Sequence, residues 1–171
     1  SKFNGDISKW NVSNVTTMEY MFCSSYFDSS IGDWNTGAVI NMSAMFCNSR
    51  FNKDIQNWDT SRVINMDYMF RNTKFNQPIG KWNVGNVRNM DHMFAYSEFN
   101  SDISEWNVRK VERMQSTFER TEFNQNIGSW DVSNVAFMSG MFRKSKFNRD
   151  ISEWNISSLV NAVEMFSGSM F

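Results

Sequence analysis

The sequence predicts a stacked repeat solenoid, and three columns of aromatic residues predict it. Phenylalanine returns every 24 residues at Phe3, Phe27, Phe51, Phe75, Phe99, Phe123, Phe147 and Phe171. Tryptophan keeps the same period at Trp10, Trp34, Trp58, Trp82, Trp106, Trp130 and Trp154. A second phenylalanine column runs through Phe22, Phe46, Phe70, Phe94, Phe118, Phe142 and Phe166. A fixed period of about 20–50 residues marks an array in which each unit buries its apolar edge only against its neighbours. The chain divides into seven 24-residue units beginning at residues 1, 25, 49, 73, 97, 121 and 145. No Pro/Gly-rich break interrupts them, so residues 1–171 are expected to form one domain. Function is then expected on a repeated surface, not in one pocket.

One unit reads F-N-x-D-I-x-x-W-N-V-S-N-V-x-x-M-x-x-M-F-x-x-S-x. Phe3, Ile7, Trp10 and Val12 are separated by polar stretches too brief for a useful helix, which predicts a short strand near Asp6 to Val12. Such strands, stacked in parallel about 4.7–4.9 Å apart, would build a sheet roughly 30–35 Å long. In the second half, Val15, Met18 and Phe22 lie three and four apart, which predicts one or two inward-facing helical turns. Ser13 precedes this stripe as a candidate N-cap, and Gly37 and Gly85 take its place where a sharp entry suits glycine. So short a helix would depend on packing against the next unit. The methionines, Met18, Met21, Met42, Met45 and onward, fall on the same stripe and are expected in the core rather than on a soft metal.

Two polar columns are as regular as the apolar ones. Asn4, Asn52, Asn76, Asn100, Asn124 and Asn148, with Asp28 in the one variant unit, predict a buried ladder that satisfies backbone groups at the corner of each unit. Asn11, Asn35, Asp59, Asn83, Asn107, Asp131 and Asn155 follow the tryptophans, where Asx turns are expected. The competing reading, calcium held by oxygens of Asn4, Asp6 and Asn11, is weakened because Ser30, Pro78 and Asn126 replace the aspartate in other units.

These residues resemble a known family. Phe51-Asn52-Lys53-Asp54-Ile55-Gln56-Asn57-Trp58-Asp59-Thr60-Ser61-Arg62-Val63, with Met66, Met69 and Phe70, is similar to the repeat of BspA-type leucine-rich-repeat surface proteins found among mycoplasma and other microbial surface lipoproteins. The resemblance covers the whole chain. It implies a leucine-rich-repeat-like right-handed solenoid, secreted or surface-attached, that binds matrix proteins or other cells in some members, and it implies no chemistry. A right-handed parallel β-helix is the alternative fold, since it too has one short parallel strand per coil. Thr117 and Ala162 in the methionine columns, and Phe137 before Met138, are local departures that a redundant core tolerates. No terminal unit is rewritten as a polar cap, so a piece of a longer array is expected.

Seventeen basic and eighteen acidic residues leave a net charge of −1, and no basic cluster runs along one column, which disfavours nucleic acid as a partner. No run of about eighteen apolar residues suggests a membrane span, and no leader opens the sequence. Cys23 and Cys47 occupy the same place in adjacent units, where a disulfide and two free thiols are both open. Asn11, Asn14, Asn41 and Asn155 begin N-x-Ser/Thr triplets, of which Asn14 and Asn41 are the better glycan candidates.

Catalysis needs unlike groups converging in one cleft, whereas an array repeats like groups at even spacing. Asp6, Asp54, Asp102 and Asp150 recur as a charged column, and His92, the one histidine, reads as a surface residue. No enzyme activity and no cofactor is expected. Two classes remain. One is a protein-binding or adhesion module outside the cell, reading its partner with a strand face of varied places beside Ile7 and its equivalents: Lys9, Asp33, Asn57, Lys81, Glu105, Ser129 and Glu153. The other is a structural rod or sheath assembled from copies of the chain, because open ends present unpaired edges.

Overall fold

The computed structural model describes all residues, Ser1–Phe171. Turns, rather than helices or strands, shape each unit. In the first, the Trp10 N–H donates to the Ile7 carbonyl at 3.0 Å, Val15 to Val12 at 2.9 Å, Met21 to Met18 at 3.2 Å and Cys23 to Tyr20 at 3.0 Å. The strand expected near Asp6 to Val12 is therefore a turn centred on Ser8 and Lys9. The regular parallel pairing lies farther on, as single bridges linking Thr17, Asn41, Asn65, Asn89, Arg113, Phe137 and Asn161 in order.

The expected helical turns are also absent, for a reason visible in the hydrogen bonds. The N–H groups of Met18, Tyr20, Phe22 and Ser24 donate to Asn41, Ser43, Met45 and Cys47 of the next unit, not to carbonyls four residues back. Two residues per unit take a left-handed conformation to allow this, as Tyr68 (φ 57°) and Asn72 (φ 54°) do in the third. Non-glycine residues in this region cost about 1–2 kcal/mol each, so the bonds between units must outweigh a recurrent strain. The three- and four-residue spacing of Val15, Met18 and Phe22 is that of consecutive turns, which mimic a helical stripe. Ser13 accordingly caps no helix; its own N–H and hydroxyl both donate to Asn11 Oδ1, at 3.1 and 2.7 Å.

These bonds give the array a direction. The peptide group ending in Met42 accepts from Met18 and donates to Asn65, whose peptide in turn donates to Asn89. Columns through Tyr20, Phe22 and Ser24 repeat the pattern, so four rows of peptide dipoles align head to tail. Aligned peptide dipoles add as they do in a helix. The row in which Ile40 donates to Thr16 and Ile64 to Ile40 runs the other way and offsets part of the sum.

The core is an aromatic stack. Phe27, Phe51, Phe75, Phe99, Phe123 and Phe147 are fully buried, with successive rings 6.2–6.3 Å apart. Each also faces a ring of the second phenylalanine column at 4.0–4.1 Å, as Phe46 does Phe51 and Phe142 does Phe147. Such pairs add about 0.5–1.5 kcal/mol each beyond area burial. Every tryptophan from Trp34 onward donates its indole N–H to the isoleucine carbonyl of the preceding unit, at 3.0–3.2 Å. The methionines of the inner units are buried among these rings. Thr117, in a methionine place, is buried with its hydroxyl donating to the Met90 carbonyl at 3.0 Å. One hydrophobic cluster runs from Ile7 to Met165, and no helix is long and apolar enough to cross a membrane.

Candidate binding faces

With the repeated apolar residues inside, the surface is built of turns held by short polar side chains. The asparagine ladder is complete: Asn4 Oδ1 accepts from the Asp28 N–H at 2.8 Å, Asp28 from Asn52 at 2.9 Å, and so on to Asn148 on Asn124. It runs along the surface rather than in the interior, with Asn4, Asn76 and Asn148 exposed and the others half-buried. The expected Asx turns form at all seven places after the tryptophans. Asp6 makes a further one with the Ser8 N–H at 2.9 Å. The side-chain oxygens that would have held calcium, on Asn4, Asp6 and Asn11, thus each accept a backbone N–H of the chain itself.

Those N–H donors also set the local electrostatics. The Ser8, Ser104 and Ser152 N–H groups hold Asp6, Asp102 and Asp150 below the usual carboxylate range. The hydroxyls of Ser61 and Ser133, with their N–H groups, do the same for Asp59 and Asp131. A hydrogen bond to the charged form always acts in this sense.

Lys9, Asp33, Asn57, Lys81, Glu105, Ser129 and Glu153 are all exposed, but on the second residue of a tight turn instead of a strand. The structure brings neighbours in this column together. Asp33 and Asn57 share a polar groove of ≈ 410 Å³ with Lys53 and Asp54, and Ser129 and Glu153 share one of ≈ 260 Å³ with Asp150. Glycine precedes three of these residues because a Cβ at Gly32, Gly80 or Gly128 would lie 2.6–2.8 Å from an aspartate carbonyl oxygen of the next unit.

Asn14 is exposed, as a glycan acceptor requires. Asn41 is half-buried instead, its amide donating to Glu19 Oε2 at 3.3 Å while its oxygen accepts from the Ser43 N–H. Cys23 and Cys47 are free thiols; burial pushes the Cys47 thiol up, and Cys23 beside it adds to the effect. His92 is half-buried, not a surface residue: its ring stacks on Tyr68 at 4.6 Å, and burial pulls its pKa down.

Sequence reasoning missed three features. Glu119 is 2% exposed and paired with Arg143 at 2.6 Å, with the Tyr96 hydroxyl donating at 3.0 Å. Asp91 is buried under Arg113 at 2.7 Å, while in the preceding unit Asn89 stands in the arginine's place and Asp67 Oδ1 is buried with no hydrogen-bond partner. The recurrent Ser/Thr after the second phenylalanine is a buried bracket: Thr73 donates to the Phe70 carbonyl at 2.8 Å and accepts from the Phe75 N–H at 3.3 Å. Only the last had a signal, its 24-residue recurrence.

The family described as Mycoplasma protein of unknown function, DUF285, matches residues 1–98, 23–121 and 72–171, three overlapping stretches that together cover the chain. The chain belongs to this family. Overlapping matches of one family along one sequence are what a repeat protein gives, and this DUF285 chain is one. Curated proteins and solved structures gave no match.

Proposed function

We propose that this DUF285 chain is a non-catalytic protein-binding module, a right-handed solenoid of the BspA-type leucine-rich-repeat kind, displayed outside the cell or at its surface. Six successive unit-to-unit contacts made by equivalent residues, with parallel bridges throughout, support the solenoid. One observation carries the binding function. The residues that repeat are consumed in contacts between units, whereas the turn residues beside the tryptophans stay exposed and change through Lys, Asp, Asn, Lys, Glu, Ser and Glu. A constant column suits a lattice; a varied one suits the irregular surface of another protein. Charged contacts of this rim type act mainly on partner choice and association rate.

Replacing Lys9, Lys81, Glu105 and Glu153 together by serine is expected to leave the fold stable, each exposed site contributing within about 0.5 kcal/mol as surface substitutions do. The same variant should lose binding to immobilised matrix proteins measured by surface plasmon resonance. Unchanged binding would remove this turn column as the recognition face.

A further inference from the structure

A second exposed edge of the array carries a net positive charge. It is formed by the residues of the Val12–Val15 turn and the residue after it, together with their equivalents in later units. In these places stand Arg62, Arg88, Arg109 and Lys110 against Glu112 alone, a net of +3 in a chain whose total is −1. No single column shows this concentration. The fold creates it by setting the turn position of Arg62 and Lys110 beside the bridge-flanking position of Arg88.

Arg62, Arg88 and Lys110 line a groove of ≈ 300 Å³ with Asn86, Ile40 and Ile64, and no carboxylate lines it. Ile40 and Ile64 are 36% and 42% exposed. Arg88 meets Glu112 at 2.5 Å with both side chains more than half exposed, so this pair exchanges readily for another carboxylate. Lys110 donates only to Asn86 Oδ1, at 2.7 Å, and Arg62 forms no ion pair. Three cations thus surround an aliphatic floor.

We propose that this edge binds an extended acidic segment of a protein partner, with aliphatic side chains resting on Ile40 and Ile64 and carboxylates reaching Arg62, Arg88 and Lys110. Arg62 and Lys110 are equivalent residues two units apart, three places before the bridged Asn65 and Arg113, where two parallel-strand steps span about 9.4–9.8 Å. A polyproline-type segment brings every third residue onto one face after about 9.3 Å, so acidic residues at i and i+3 match the spacing. The groove has no aromatic residue on which a nucleic-acid base would stack. Its two isoleucines, 36% and 42% exposed, present little apolar surface to a bilayer, and cations around an aliphatic floor complement an acidic peptide. The inference rests on the protein-binding reading above and deepens it, but uses a different edge from the Lys9 column.

The test measures fluorescence anisotropy of a labelled peptide of about a dozen residues, with glutamate at every third position and isoleucine and proline between. The chain is expected to bind it, more weakly as salt rises from about 50 to about 300 mM. Joint replacement Arg62→Ser, Arg88→Ser and Lys110→Ser should weaken binding at least about tenfold, with the near-ultraviolet circular dichroism unchanged. The serine variant of the Lys9 column should bind the peptide as the parent does. Equal binding by the triple variant, or tighter binding of oligothymidylate or phosphatidylserine vesicles than of the peptide, would overturn the proposal. Absence of peptide binding while matrix-protein binding persists would overturn this edge alone and leave the Lys9 column standing.

Discussion

Trp82→Ala lowers the unfolding free energy by about 3–5 kcal/mol, the usual cost of truncating a buried aromatic residue. Trp82 is 3% exposed, its ring stacks on Trp58 at 6.4 Å and lies 6.2 Å from Phe70, and its N–H serves the Ile55 carbonyl at 3.1 Å. Removal opens a cavity between two units and takes one of that carbonyl's two donors, the Trp58 N–H remaining on it at 3.1 Å. Trp82→Phe keeps most of the apolar area, so its cost, about 1–3 kcal/mol, combines the lost hydrogen bond with a smaller cavity. Trp10→Ala is the control. Trp10 is 55% exposed, and its loss should cost less than about 1 kcal/mol. Urea unfolding of the three variants separates these values; equal losses for Trp10 and Trp82 would mean that stacking between units does not stabilise the array.

Arg143→Ala has the next largest effect, through Glu119. Breaking a buried ion pair costs about 3–5 kcal/mol, because the remaining charge is stranded. About 2–3 kcal/mol is expected here, since the Arg143 side chain is 36% exposed and its share is screened by water. The pH dependence identifies the cause. Burial pushes the Glu119 carboxyl up, but Arg143, Ser116 and Tyr96 outweigh it and hold the group below its ordinary range. The pair's contribution is therefore complete above the unfolded glutamate pKa of about 4.3 and is lost as pH falls through the lowered folded value. In Arg143→Ala the lowering influence of Arg143 is gone, only Ser116 and Tyr96 still oppose burial, and the Glu119 carboxyl takes up a proton more readily than in the parent. The stability gap between parent and variant should narrow as pH falls from 7 toward about 3.5; a constant gap would mean the loss arises from packing alone.

Much of this architecture was legible because it repeats. Phe51, Trp58 and Phe70 could be placed inside from period alone, and so could the methionines, since a place kept apolar in nearly every unit must face its neighbours. The Asx turns at Asn11 and Asp59 were legible from residue type and position. The backbone path was not. Val15, Met18 and Phe22 fit both a helical stripe and a chain of turns, and spacing cannot tell where the intervening N–H groups point. The left-handed residues that decide it include Tyr68, His92 and Arg120 (φ 57°, 56° and 53°), types that do not advertise such a conformation. Asparagine in the Asn4 column suggested burial because it carries both a donor and an acceptor. Its carbonyl side alone carries the ladder, and the amide is free to face water.

The candidate faces were legible only where one column carried the signal. The varied Lys9 column was visible as a column, although its residues stand on turns. The Arg62–Arg88–Lys110 groove joins two columns that become neighbours only when the chain folds, so a search along single columns found no basic cluster. Glu119 was likewise unremarkable in sequence, because its place is taken elsewhere by cysteine, arginine, alanine and serine. Its burial follows from Arg143 in the unit above and Tyr96 in the unit below, a relation no single unit contains.

The central claim is that equivalent 24-residue units are coupled through nearest neighbours alone, with variation left for the surface. Its most direct test is the urea-unfolding m-value of the chain lacking residues 73–96, which joins Asn72 to Ser97 in register. In a stacked array, stability and exposed area are sums over units and interfaces, so the deletion should unfold in one cooperative transition with m reduced by about one-seventh. Loss of cooperative unfolding, or an outcome no better than that of deleting the half unit 73–84, would contradict the account.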